Sequence, residues 1–138
     1  VIFTERNIYS SSIFIETYSQ MGWASSFTKD FLLSELQNLC SAKSSPDAYV
    51  FLDLFPEICL KRVHDRGNDN DKSITPDFQR ALYSAHVKFF DNCMLDSVPV
   101  VFLTTEESTT PAQVKKRLMI AVQYLIKRKE DANVETYP

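Results

Sequence analysis

Residues 46–74 read Pro46-Asp47-Ala48-Tyr49-Val50-Phe51-Leu52-Asp53-Leu54-Phe55-Pro56-Glu57-Ile58-Cys59-Leu60-Lys61-Arg62-Val63-His64-Asp65-Arg66-Gly67-Asn68-Asp69-Asn70-Asp71-Lys72-Ser73-Ile74. The run of strand formers at 49–54, bounded by turn formers, predicts a buried parallel strand. Pro56 suits the first position of a helix, where its missing amide costs nothing, and Glu57 complements the helix dipole. Gly67 ends that helix and a polar flap follows, a lid over 67–75. Arg62 and Arg66 stand four residues apart and so share one helical face. Two guanidinium groups leading into a polar loop can clamp phosphate oxygens. The plainer alternative is a solvated face, with Glu57 and Asp65 as neighbours.

Outward from this stretch, residues 1–4 read as the end of another buried strand. A helix over about 9–20 stops before Gly22 as its C-cap. Ser25 or Ser26 caps the next helix, with the stripe Phe27, Phe31, Leu32, Leu36, Leu39 and Cys40, and residues 41–46 break it. Thr75-Pro76-Asp77 is a helix start, followed by the stripe Phe78, Leu82, Ala85 and Phe89. Residues 98–103 read as a third strand. Thr110 and Gln113 fit a capping box ahead of the stripe Val114, Leu118, Ala121, Val122 and Leu125. The charged tail, 127–138, which includes Tyr137, is expected to fray. Strands alternating with helices predict one α/β domain over 1–138, built on a parallel sheet.

The chain has 138 residues, 44% hydrophobic and 24% charged, with a net charge of −3. That balance argues against a polymeric nucleic acid as partner, while leaving room for a small anion held by local arginines. No apolar run is long enough to span a membrane. The three cysteines, Cys40, Cys59 and Cys93, are widely spaced. They read as small buried thiols of a reducing compartment, which suggests a cytoplasmic protein, with a mitochondrial one also open. His64 and His86 lack partners at zinc-ligand spacing.

Glu5-Arg6 falls just past the first expected strand, where open α/β sheets bind ligands. A carboxylate there can serve magnesium and an arginine can steady a phosphoryl group, although the dipeptide alone favours the plainer reading of a surface ion pair. Asp53, at a strand end, reads as a cap of local amides or a metal contact. Phe14, Tyr18, Trp23 and Phe27 read as core or as an aromatic wall for a base. A phosphate-cradling G-x-x-x-x-G-K-[ST] loop is not among these residues: Trp23 follows Gly22 and Asn68 follows Gly67.

Four stretches together resemble the deoxynucleoside kinase family, which includes deoxycytidine, deoxyguanosine and mitochondrial-type thymidine kinases. They are residues 1–10 with Glu5-Arg6-Asn7, the Pro46-Asp47 strand to Asp53, the helix from Pro56 to Gly67, and 74–86 with Leu82 and His86 in register. The resemblance covers about residues 1–105 and corresponds to the later part of a family member. It implies a three-layer nucleotide-kinase fold, incomplete here because the phosphate-loop strand and the general base would precede Val1. It also implies that the 138-residue piece alone is inactive and folds poorly.

The implied activity is ATP-dependent phosphorylation of a deoxynucleoside 5′-hydroxyl, with Mg2+ as cofactor. Glu5 resembles the acid near magnesium and Arg6 the arginine beside the 5′-hydroxyl. Arg62 and Arg66 resemble lid arginines on the donor phosphates. Asp71 stands where a longer glutamate contacts the sugar 3′-hydroxyl, and Ser11 where some members read the base with aspartate. That loss inclines the reading toward thymidine or broad pyrimidine use. Asn7 replaces a serine, Asn68 stands where some members carry a third lid arginine, and Thr75-Pro76 shifts the usual proline by one place. A thymidylate kinase and a non-catalytic partner subunit are the alternatives. The family further implies a homodimer, formed through helices such as 9–20.

Overall fold

The computed structural model describes residue 2 and residues 4–40 and 46–135. Its sheet has two parallel strands, β1 (Tyr49–Asp53) and β2 (Val100–Thr104), paired from Tyr49↔Val100 to Asp53↔Thr104. Five helices accompany it: α1 (Ser11–Gln20), α2 (Ser26–Leu39), α3 (Pro56–Asp65), α4 (Pro76–Leu95) and α5 (Pro111–Glu135). A 3-10 turn, Ile8–Ser10, leads into α1, and another, Asp69–Asp71, sits between α3 and α4.

The starts of the helices follow from side chains in the sequence. The Ser25 hydroxyl accepts from the Thr28 amide, and the Thr75 hydroxyl from Phe78. At the head of α5 the capping box closes both ways: Thr110 N donates to Gln113 Oε1 at 2.8 Å, and Gln113 N to Thr110 Oγ1 at 3.3 Å. Gly22 and Gly67 end α1 and α3 at φ +73° and +64°, a region that penalises any Cβ.

The core lies between the sheet and α4. Phe90, 7% exposed, packs its ring against Tyr49, Phe51, Phe89 and Phe102 at 4.8–6.1 Å between centroids. On the other side of α4, α1 buries Ile13 and Thr17, whose hydroxyl returns to the Ile13 carbonyl at 2.8 Å. The Glu16 carboxylate on α1 ties down Lys29 of α2 and Lys88 of α4.

Three sequence expectations need revision. Residues 2 and 4 lie outside any strand, and Val1 and Phe3 lie outside the described residues, so a first strand at 1–4 is not part of the observed sheet. The three-layer kinase fold is accordingly seen only as a partial α/β unit. The stripe assigned to α2 is largely open: Phe27, Phe31, Leu32 and Leu39 are exposed, and α2 packs against α1. The helical pattern of α5 continues through the charged segment from Lys127 to Glu135, because lysine, arginine, glutamate and alanine are good helix formers. Residues 136–138, Tyr137 among them, and the 41–45 break lie outside the described residues.

The accessible surface is 10096 Å² for 15.9 kDa. A compact monomer of that mass exposes about 7,400 Å². The excess is consistent with the open apolar face of α2 and with exposed Leu52, Met119 and Ile120.

Candidate functional site

The two parallel strands end side by side at Asp53 and Thr104, and the chain beyond them forms the site's floor. Thr105 N donates to the Asp53 carbonyl at 2.7 Å and its hydroxyl does so at 3.1 Å, which satisfies a residue only 5% exposed. The Asp53 carboxylate accepts from the Tyr83 hydroxyl of α4 at 3.0 Å. Burial pushes the Tyr83 hydroxyl above its usual range, and the neighbouring Asp53 charge adds to that. The side-chain partner seen for Asp53 is thus a hydroxyl on α4 rather than a local amide. Among the described residues no group of three His, Cys, Asp or Glu could hold a metal ion.

Helix α3 leaves this strand edge and carries the candidate arginines. Arg62 Nη2 donates to the carbonyls of Glu106 and Glu107, at 3.2 and 3.3 Å, in the connection from β2 to α5. Lys61 pairs with Glu107 beside it, which raises the lysine's pKa and lowers the glutamate's. Arg66 is the C-cap of α3, and its Nη2 meets Asp71 Oδ2 at 3.1 Å across the connection from α3 to α4. That connection is hydrogen-bonded within itself: Asp71 N donates to the Asn68 carbonyl at 3.0 Å and Ile74 N to the Asp71 carbonyl at 3.1 Å.

Glu5 and Arg6 enter the fold elsewhere. Arg6 takes φ +64° and lays its guanidinium 5.3 Å from the Phe14 ring centroid on α1. Next to it, the Asn7 side chain caps the first turn by accepting from the Ser10 amide at 3.2 Å. Burial raises the hydroxyl pKa of Tyr49, the opening residue of β1, and the nearby Asn7 side chain partly offsets this. Arg6 also exerts its charge on His86 of α4, whose ring stacks on Phe51 at 5.4 Å and 15°. Burial holds the His86 pKa below its ordinary 6.5, and the Arg6 charge acts in the same direction. His86 Nδ1 lies 2.7 Å from the Leu82 carbonyl, an acceptor, so Nδ1 carries the proton of the neutral ring.

The sequence-derived site residues therefore fall into two groups. Arg62, Arg66 and Asp71 gather beyond the C-terminal ends of the strands. Arg6 stands with Phe14 of α1 and near His86 of α4, whose ring stacks on Phe51 in the middle of β1. Glu5 is exposed beside Arg6, and Ser11 is the exposed first residue of α1. Among the described residues no hydrogen bond or ion pair joins the groups. Of the aromatic quartet, Tyr18 and Trp23 instead cluster with Phe78, Trp23 stacking on it at 5.6 Å, and Phe27 stays exposed. Tyr83 escaped the sequence reading, since its link to Asp53 spans thirty residues. The one local hint was its place on α4 beside the Phe78–Leu82–Ala85 stripe.

Residues 1–127 match the family model described as deoxynucleoside kinase. The chain belongs to the deoxynucleoside kinase family. A deoxyadenosine kinase from Dictyostelium discoideum is 27% identical over 120 residues, covering 87% of this chain and 48% of the relative. The chain thus spans about half the length of that curated relative.

Proposed function

We propose that this chain supplies the lid and the acceptor-side arginine of an ATP-dependent kinase that phosphorylates a deoxynucleoside on its 5′-hydroxyl. The observation carrying this reading is α3. It departs from the C-terminal end of a parallel strand and brings Arg62 and Arg66, four residues apart, to the turn at Gly67. Phosphoryl transfer depends on positioning and charge neutralisation, which arginines provide. Arg62 and Arg66 take the donor phosphates. Arg6 steadies the phosphoryl group in transit once the bound state brings the two groups of residues together. Asp71 meets the sugar hydroxyl and Ser11 the base.

Magnesium is held by one or two carboxylates together with phosphate oxygens and water. Glu5, a single exposed carboxylate, fits such a role, with the donor phosphates supplying other ligands. The ion, when bound, neutralises charge on the donor oxygens.

The acceptor's base is open between two indications. Serine at position 11 inclines toward thymidine or other pyrimidines, and the relative is named a deoxyadenosine kinase. The protein as its gene encodes it, offered ATP, magnesium and each of the four deoxynucleosides, should convert at least one to its 5′-monophosphate. Thymidine 5′-monophosphate belongs in the same panel. Its exclusive use as acceptor would replace this reading with a thymidylate kinase, and no product from any acceptor would favour a non-catalytic subunit. The family's homodimer remains part of the proposal, to be checked by light scattering.

A further inference from the structure

We propose that Arg66 and Asp71 form a lock on the lid, which the donor's phosphates must open. The inference rests on the reading of Arg66 as a donor-phosphate ligand. In the structure both lid arginines are already engaged within the chain: Arg62 by two carbonyl oxygens, and Arg66 by the Asp71 carboxylate at 3.1 Å.

The pair is asymmetric. The Arg66 side chain is 66% exposed and that of Asp71 only 21%. An anion therefore reaches the guanidinium from solvent while the carboxylate stays behind it. Arg66 uses one of its five N–H donors on Asp71, so the incoming phosphate binds the open edge first. The phosphate's charge then opposes the carboxylate on the far side and weakens its hold. The lid is built to keep this pair in register. Gly67 turns the chain at φ +64°, the Asn68 side chain caps the 3-10 turn, and the Asp71 amide and carbonyl are both hydrogen-bonded within the lid. Opening the lock changes side-chain partners without unwinding the turn, and it releases the Asp71 carboxylate while the donor is bound.

The test is the affinity of the encoded full-length protein for inorganic tripolyphosphate, measured by isothermal titration calorimetry. Asp71→Asn should bind about two- to fivefold more tightly than wild type, the range an exposed ion pair supports. Arg66→Ala should bind more weakly. In the Arg66→Ala background, Asp71→Asn should add no more than Asp69→Asn, which removes a carboxylate paired with Lys72 instead. Asp71→Ser repeats the measurement if the asparagine variant fails to fold. Equal tightening by Asp71→Asn in both backgrounds, or none in either, would overturn the lock. Weak binding by Arg66→Ala with unchanged binding by Asp71→Asn sinks the lock and leaves the kinase reading standing. Wild-type binding by Arg66→Ala removes the phosphate role of Arg66 and the lock with it.

Discussion

Replacing Glu16 with glutamine keeps the shape of the side chain and removes the charge that fastens three helices. Glu16 Oε2 lies 2.7 Å from Lys29 Nζ on α2, and Oε1 lies 3.0 Å from Lys88 Nζ on α4. Gln20 adds a long contact at 3.5 Å. The Lys29 hydrogen bond, opposed by burial and aided by Lys88, holds the carboxyl at about 2 against an ordinary 4.5. Taken whole, that difference corresponds to about 3 kcal/mol of linkage. Lys88 is 61% exposed, however, and solvent and salt screen such a pair. We therefore expect a loss of about 1–2 kcal/mol for Glu16→Gln at pH 7, after discounting for that screening.

The sign with pH follows from a folded pKa below the unfolded one. The contribution is fully present above about pH 4.5 and disappears as pH falls toward 2. Urea unfolding of wild type and variant, followed by far-ultraviolet circular dichroism at several pH values, measures the gap. A variant with the wild-type midpoint at pH 7, or a gap that stays constant down to pH 2, would refute the reasoning.

Three further outcomes follow from the core and the strand edge. Phe90→Ala should destabilise the fold by about 3–5 kcal/mol, because its ring fills the space between α4 and both strands; the urea midpoint reads this directly. Tyr83→Phe should cost about 1–2 kcal/mol by leaving the Asp53 carboxylate without its hydroxyl donor, and a loss no greater than a surface substitution's would contradict that bond. The His86 ring resonances should titrate below pH 6.5, and stability should fall as pH drops through and below 6.5, because the unfolded chain takes up that proton more readily; a midpoint above 6.5 would contradict the burial seen here.

Local chemistry made much of this fold legible in sequence. Ser25, Thr75 and the Thr110–Gln113 pair start their helices as side-chain caps should, and Gly22 and Gly67 end theirs at positive φ. The α5 stripe of Val114, Leu118, Ala121, Val122 and Leu125 faces inward as its periodicity requires. The α2 stripe fails because periodicity identifies an apolar face and cannot say whether anything covers it. At the site, the Arg62/Arg66 spacing could be read from helix geometry. Their partners could not, since Arg62 bonds carbonyls more than forty residues away and a carbonyl leaves no mark in sequence. Lys88 and Glu16, separated by 72 positions, were invisible for the same reason. Arg66 and Asp71 are near neighbours in the chain, and both were singled out, but for different ligands; their attraction to each other is what the sequence reading overlooked.

The central claim is that Arg62 and Arg66 serve a donor's phosphates during transfer to a deoxynucleoside. Following the γ-phosphoryl group of radiolabelled ATP into nucleoside 5′-monophosphate, for the encoded protein and its Arg62→Ala and Arg66→Ala variants, tests it most directly. Wild type should give product, and each variant a kcat/KM lower by about 10²-fold or more, the scale of losing a preorganised charge at the transferring group. Nucleoside phosphorylation at wild-type efficiency in both variants would contradict it.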